Sequence, residues 1–155
     1  MLSIENPARA DRKTVALIRS SAEHLLAMTE DGSLVRSDGR KVLTPHLEVF
    51  LVGDSFMKKN VLSFPAPRDF PRPDLKGAIS LGEIYLNPAY IAEESSDLPA
   101  GRQELGNWKL EISAKLVYMF IHGFLHLLGY DHDKKDARIE METREKQLLR
   151  QLLSA

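Results

Sequence analysis

Three of the five histidines in the 155-residue chain, His122, His126 and His132, fall within eleven positions. Residues four apart on a helix lie one above the other, so His122 and His126 can aim two imidazoles at one point. Gly129 follows, and glycine readily takes the left-handed turn that ends many helices. Beyond such a bend His132 can return to supply a third nitrogen. Three neutral imidazoles with one position left open suit a catalytic zinc ion, because the open position takes a water whose pKa the metal lowers. The three histidines are therefore candidate metal ligands and, through that metal-bound water, candidate catalytic residues. The plainer alternative is a set of hydrogen-bonded core histidines, but the clustering and the glycine at the bend favour the metal. Zinc is the expected divalent ion, although nickel, cobalt, copper or iron also accept such ligands.

The spacing matches the long zinc-protease signature H-E-x-x-H-x-x-G-x-x-H with one difference. Where those proteases carry the glutamate that acts as general base, this chain has Gly123. The ligand set is kept and the protease base is absent, which argues against peptide hydrolysis by the usual route. Asp131 and Asp133 flank His132 and are the nearest replacement carboxylates; Asp131 is expected to orient a histidine or the turn rather than to move a proton. With no cysteine in the chain, thiolate sites and disulfides are excluded.

The supporting elements follow from patterning. Leu2 to Ile4 reads as a first short strand ended by Asn6-Pro7. A helix from Ala8 to Met28 follows, with Val15, Ile18, Ala22 and Leu25 as its core stripe and Asp31-Gly32 as its stop. His24 on that helix is given a structural or solvent role. Asp38-Gly39 between Leu34-Val35 and Val42-Leu43 suggests a hairpin. His46 reads as a loop or strand-edge residue. Leu47–Val52 is nearly all apolar and reads as a strand buried on both faces. Val61–Phe64 and Ile79–Leu86 are further strands, joined by a loop stiffened by four prolines. Glu93 to Asp97 reads as a polar surface linker. A long helix from Glu104 to Leu128 is apolar around most of its second half, as a buried helix must be. Tyr118 and Lys115 share the face of His122 and read as a packed tyrosine and a snorkelling lysine. A last helix, Lys134 to Leu153, places Ala137, Met141, Leu148 and Leu152 inward. Its Glu140, Glu142, Arg144, Glu145 and Lys146 read as a solvated face. The fold class expected is α+β: one domain over residues 1–155, a small mixed β-sheet packed against a buried central helix that carries the histidines.

The run from His122 to His132, His-Gly-Phe-Leu-His-Leu-Leu-Gly-Tyr-Asp-His, resembles the signature of the YbeY family of bacterial endoribonucleases. Asn60-Val61-Leu62-Ser63-Phe64-Pro65 is similar to that family's T-D-V-L-S-F-P-like stretch, and Leu81-Gly82-Glu83-Ile84 to its L-G-D-I strand. The resemblance covers about residues 45 to 145. It implies a metal-dependent ribonuclease directed at single-stranded RNA. Its roles would be in ribosomal RNA maturation, notably at the 3′ end of the small-subunit RNA, and in ribosome quality control. Ribosomes or ribosomal proteins are the implied partners. The chain departs from the family in one place. Only Gly53 to Lys59 separates the strand from Asn60, without the arginine-bearing helical stretch found there in the family. Either Lys58, Lys59 or a loop arginine (Arg68, Arg72) replaces that cation, with Lys59 at the start of the marker strand the expected substitute, or activity is weakened or redirected.

Net charge is −1, so RNA must be held by a local basic patch. Lys58, Lys59, Arg68 and Arg72 are the candidate RNA contacts, with Phe70 able to stack on a base and Phe64 expected in the core. Residues Met1 to Pro7 show no leader pattern, and the most apolar stretch, Leu116 to Tyr130, is too short to span a bilayer, so a soluble cytoplasmic protein without membrane contact is expected. Two rival readings stand beside the nuclease: a metal-stabilised, non-catalytic ribosome- or RNA-binding module, and a metal hydrolase of another class, such as a protease.

Overall fold

A computed structural model of the chain, described over residues 1–67, 72–96 and 108–154, has four strands and four helices among those residues. In chain order they are Leu2–Glu5 (β1), Arg12–Asp31 (α1), Pro45–Leu51 (β2), Val61–Pro65 (β3), Ile79–Leu86 (β4), Pro88–Ser96 (α2), Trp108–Leu127 (α3) and Lys135–Ser154 (α4). A single 3₁₀ turn, Pro73–Leu75, precedes β4. The strand order is β1-β2-β4-β3. The first three run parallel and β3 pairs antiparallel with β4 at the edge. This is the expected mixed sheet in an α+β domain.

One face of the sheet carries Leu47, Val49, Leu51, Ile84 and Leu86, all fully buried beneath α1 and α3. Strand β2 was expected to be buried on both faces; instead Glu48 and Phe50 are half-buried on the outer one, because among the described residues helices cover only the other side. Phe50, Tyr85 and Phe56 stack there with ring centroids 4.7 and 5.6 Å apart, and Phe64 meets Tyr85 edge-on. Phe64, expected in the core, is 51% exposed. Its register opposite Glu83 turns it outward, since successive strand residues alternate faces. His46 also differs from expectation. It lies in the interior strand β2, 9% exposed, with its Nε2 4.0 Å from Glu48, and burial pushes its imidazole pKa down.

Helix α1 starts four residues later than the periodicity suggests. Asn6 and Ala10 exchange two hydrogen bonds that hold residues 6–10 in a turn, and the Asp11 carboxylate then caps the helix by accepting from the Thr14 N–H at 2.8 Å. Its end at Gly32, φ 86°, is where Asp31-Gly32 places it. The stripe Ile18, Ala22 and Leu25 is fully buried and Val15 partly so. The hairpin expected around Asp38-Gly39 reduces to a turn closed by Arg36 N–H to Arg40 C=O at 3.0 Å. Its arms, residues 34–35 and 42–43, form no ladder.

The linker expected at residues 93–97 is, through Ser96, the end of α2. Asn87 starts that helix by accepting from the Tyr90 N–H, with Pro88 at the first helical position, a start signal that the sheet-ending reading of Asn-Pro overlooked. Asn87 is wholly buried and donates to Asp54 and to the Met57 carbonyl, which ties the short 53–57 connection to the helix. The expected helix start at Glu104 lies outside the described residues, and α3 is followed from Trp108. Leu116, Phe120, Ile121, Phe124, Leu125 and Leu128 are buried where the helix meets the sheet, α1, α2 and α4, while the face of Lys115, Tyr118, His122 and His126 stays half-buried. Two fully buried phenylalanines alone contribute about 1.5–3 kcal/mol each.

At β4 the register with β2 shifts between His46 and Leu47, so that Leu81 is the extra residue of a bulge. Gly82 beside it has φ 125°, and a Cβ there would lie 2.1 Å from the Phe64 carbonyl oxygen. Edge strand β3 can approach only because that atom is missing. Gly82→Ala should therefore lower stability by about 2–4 kcal/mol, read as a fall in the urea midpoint. An unchanged midpoint would show that the bulge does not set the position of β3.

Candidate metal centre

The two helical histidines occupy the last turn and a half of α3, and the turn after it decides where the third goes. Gly129 (φ 91°) donates to the His126 carbonyl at 3.0 Å, and the Tyr130 N–H donates to the Leu125 carbonyl at 3.0 Å. This pair of bonds is the Schellman ending that glycine permits. Ser37 reinforces it from the other side: its N–H donates to Leu128 C=O and its hydroxyl to Gly129 C=O. In the loop beyond, the Asp131 carboxylate accepts from the N–H groups of His132 (2.7 Å) and Asp133 (3.1 Å). Those bonds hold the Asp131 carboxyl below the usual carboxylate range and bend the chain so that His132 faces back. Asp131 thus accepts two backbone hydrogen bonds of the turn.

The ligand atoms of His122, His126 and His132 all lie within 4.8 Å of one another, the one such group among the described residues. His122 Nε2 and His126 Nε2 are 3.1 Å apart. The other nitrogens set what those two atoms are. His122 Nδ1 is 3.0 Å from the Glu145 carboxylate, and His126 Nδ1 is 3.0 Å from the Tyr130 carbonyl. A carbonyl can only accept, and an ionised carboxylate likewise, so each Nδ1 carries the proton and each Nε2 presents a lone pair. Two lone pairs facing at 3.1 Å repel unless a cation lies between them. A tetrahedral zinc with bonds of 2.0–2.1 Å spaces its nitrogens by about 3.3 Å, so the donor set fits such an ion. Burial first, and then the neighbouring His122, holds the His126 imidazole below its ordinary pKa, which keeps it in the neutral form that ligates.

Glu145 is the residue that sequence reasoning missed. Read as part of the solvated face of α4, it is 2% exposed and points at His122. Burial alone would raise its carboxyl pKa; the His122 hydrogen bond and the nearby Tyr118 hydroxyl outweigh that and hold it low. Burial and the same carboxylate push the Tyr118 hydroxyl up. Spacing held the clue: Met141, Glu145 and Leu148 recur at four and three residues and are all buried, so the glutamate lies in the core stripe. Glu140, Glu142 and Lys146 are exposed as expected.

Gly123 is buried, and a Cβ there would meet Val61 at 3.1 Å and Ile84 at 3.4 Å. The position that bears the protease glutamate therefore faces the sheet, where a carboxylate would be stranded without water. Between β3 and α3 runs an open groove of about 480 Å³ lined by Asn60, Val61, Ser63, Pro65 and Met119, with His122 and His126 in its wall. Lys58 and Lys59 are exposed on the turn leading to Asn60, at one end of this groove. Arg72 is held by Asp74 at 3.0 Å and Glu48 at 3.2 Å, so its charge is compensated. Arg68 and Phe70 lie outside the described residues. Among the described residues no helix is long and apolar enough to cross a membrane.

The family model described as Endoribonuclease YbeY matches residues 54–153. The chain is 32% identical to the endoribonuclease YbeY of Bartonella bacilliformis, over 97% of this chain and 90% of that protein. With the protein of the same name from Sinorhizobium medicae, identity is 31% over 88% of this chain and 72% of that one. With that of a Wolbachia from Drosophila simulans it is 37% over 60% of this chain, and the chain spans about half (51%) of that relative's length. The matched region holds the three histidines, Gly129, Glu145 and the β3–β4 pair, and on these grounds the chain belongs to the YbeY endoribonuclease family.

Proposed function

We propose that the protein is a metal-dependent endoribonuclease that cuts single-stranded RNA, with His122, His126 and His132 as its metal ligands. The observation that carries this reading is the pair of Nε2 lone pairs facing each other at 3.1 Å in the wall of an open groove. When bound there, a divalent ion, with zinc the best match to the donor set, supplies Lewis acidity toward a phosphoryl oxygen of the scissile diester. The chain's own residues do the rest. Glu145 and the Tyr130 carbonyl hold the two imidazoles in one tautomer and one orientation. The groove between β3 and α3 sets the strand against the histidines, and Lys58 and Lys59 are proposed RNA contacts beside it, with Arg72, away from its lining, a further proposed contact. Gly123 offers no base, and Asp131 spends its carboxylate on the turn.

Family membership supports a narrower reading as well: ribosomal RNA as the substrate, including the 3′ end of the small-subunit RNA. It also supports a part in ribosome quality control, a cytoplasmic place of action, and ribosomes or ribosomal proteins as partners. The protease alternative is disfavoured by the packing of Gly123 against Val61 and Ile84.

Metal-loaded protein should cleave a labelled single-stranded ribosomal RNA precursor, and cleavage should vanish both in a chelated sample and in His126→Ala. Metal bound with no cleavage would instead make the chain a binding module. Lys59→Ala should lower kcat/KM on RNA about tenfold through loss of a positioned cation; parent-like cleavage would remove Lys59 from the contacts. Glu145→Ala should weaken zinc binding about 10–100-fold in competition with a chromophoric chelator. Parent-like affinity would show that the carboxylate does not hold His122 for the ion.

A further inference from the structure

A second groove, of about 490 Å³, lies where the loop between α1 and β2 meets the start of β4. Arg36, Arg40 and Lys41 line it, together with small residues at Ala66, Gly77, Ala78 and Ser80. The thirteen residues from Gly32 to Thr44 hold these three cations against one carboxylate, Asp38. Asp38 stands 3.9 Å from Arg40, whose side chain is 75% exposed. Arg36 and Lys41 make no ion pair with the described residues, and the fourth cation of the groove, Arg72, is compensated by Asp74 and Glu48. In a chain of net charge −1 such a local surplus is what draws a polyanion.

The loop is built stiffly. Arg36 and Arg40 are joined by a backbone hydrogen bond, Gly39 at φ 82° donates to the Arg36 carbonyl, and the Asp38 side chain accepts from the Arg40 N–H. Its cations are therefore presented on a fixed frame, at little ordering cost on binding. That frame is shared with the histidines. Ser37, between two of the groove's residues, holds the end of α3 through Leu128 and Gly129, and the Tyr130 hydroxyl reaches the Val35 carbonyl at 3.5 Å. The two grooves also adjoin: Pro65 lines the one that holds His126, and Ala66 and Pro67 line the other.

We propose that Arg36, Arg40 and Lys41 form a phosphate-binding track that grips the sugar–phosphate backbone of the RNA strand as it continues past Pro65 from the histidines. The assignment rests on the nuclease reading above for its ligand. Guanidinium forks suit phosphate oxygens geometrically, and a lining of small residues lets a backbone approach without steric cost. Such a site grips without reading sequence.

Binding of a fluorescent single-stranded 12-nucleotide RNA to chelator-treated protein, followed by anisotropy across a salt series, tests the track apart from cleavage. Combined Arg36→Ala, Arg40→Ala and Lys41→Ala should weaken binding by about tenfold or more and flatten the plot of log affinity against log salt by about 2, close to 0.7 per lost contact. The conservative double change Arg36→Lys and Arg40→Lys, with Lys41 kept, should retain most of the affinity. Arg40→Glu, at an exposed position that folding does not need, should weaken binding on its own. With metal restored, the alanine variant should show a raised KM on the 12-nucleotide RNA, unchanged kcat, and parent-like cleavage of a dinucleotide too short to reach the loop. Parent-like RNA affinity and salt slope in both the alanine and the Arg40→Glu proteins would overturn the track and leave the nuclease reading standing. Failure of the parent itself to bind or cleave RNA would overturn that reading, and the track with it.

Discussion

Two imidazole nitrogens that both present lone pairs cannot rest 3.1 Å apart unless the surrounding protein holds them there. Each Nδ1 is claimed by an acceptor, a carboxylate from α4 for His122 and a carbonyl just past the end of α3 for His126. Neither ring is free to flip or change tautomer to relieve the repulsion. The conflict is held in the fold, and a cation between the two nitrogens would relieve it. That gives the buried helix its purpose, because only a helix fixed by its packing can keep two rings in such positions.

The sheet supplies the other half of the constraint. Gly82 lets the edge strand β3 close onto β4, and Gly123 lets α3 settle onto Val61 and Ile84. Two missing Cβ atoms thus bring a strand edge and a histidine-bearing helix near enough to form the groove between them. The second of these also removes the position that would supply a protease's base. Packing and chemistry are coupled at that residue: a side chain able to take a proton there would have to be buried against aliphatic carbons.

The loop from Gly32 to Thr44 shows how an irregular segment can serve the same centre. Sequence patterning read it as a hairpin, since an Asp-Gly turn between apolar pairs is a hairpin signal. The turn forms, but the strands do not. What remains is a rigid turn whose Ser37 closes the end of α3 and whose cations face an adjoining groove. Likewise Glu145 looked like one more charge on a charged helix face. Its position in the stripe with Met141 and Leu148 was visible, but the partner that makes burial tolerable, His122, is 23 residues away.

Local chemistry was legible from the chain alone. Helical spacing aligned His122 with His126, glycine chemistry ended α3 at Gly129, and alternation and apolar runs located the strands, with β4 matching Ile79–Leu86. These depend on backbone geometry and near neighbours, which a sequence encodes directly. Tertiary structure decided the rest: the outward turn of Phe64, the burial of Glu145, the compensation of Arg72, and the convergence of an exposed His132 on two helical rings. Each of those turns on which distant segment arrives opposite a residue, and a burial cost or a charge acquires its sign only when that partner is in place.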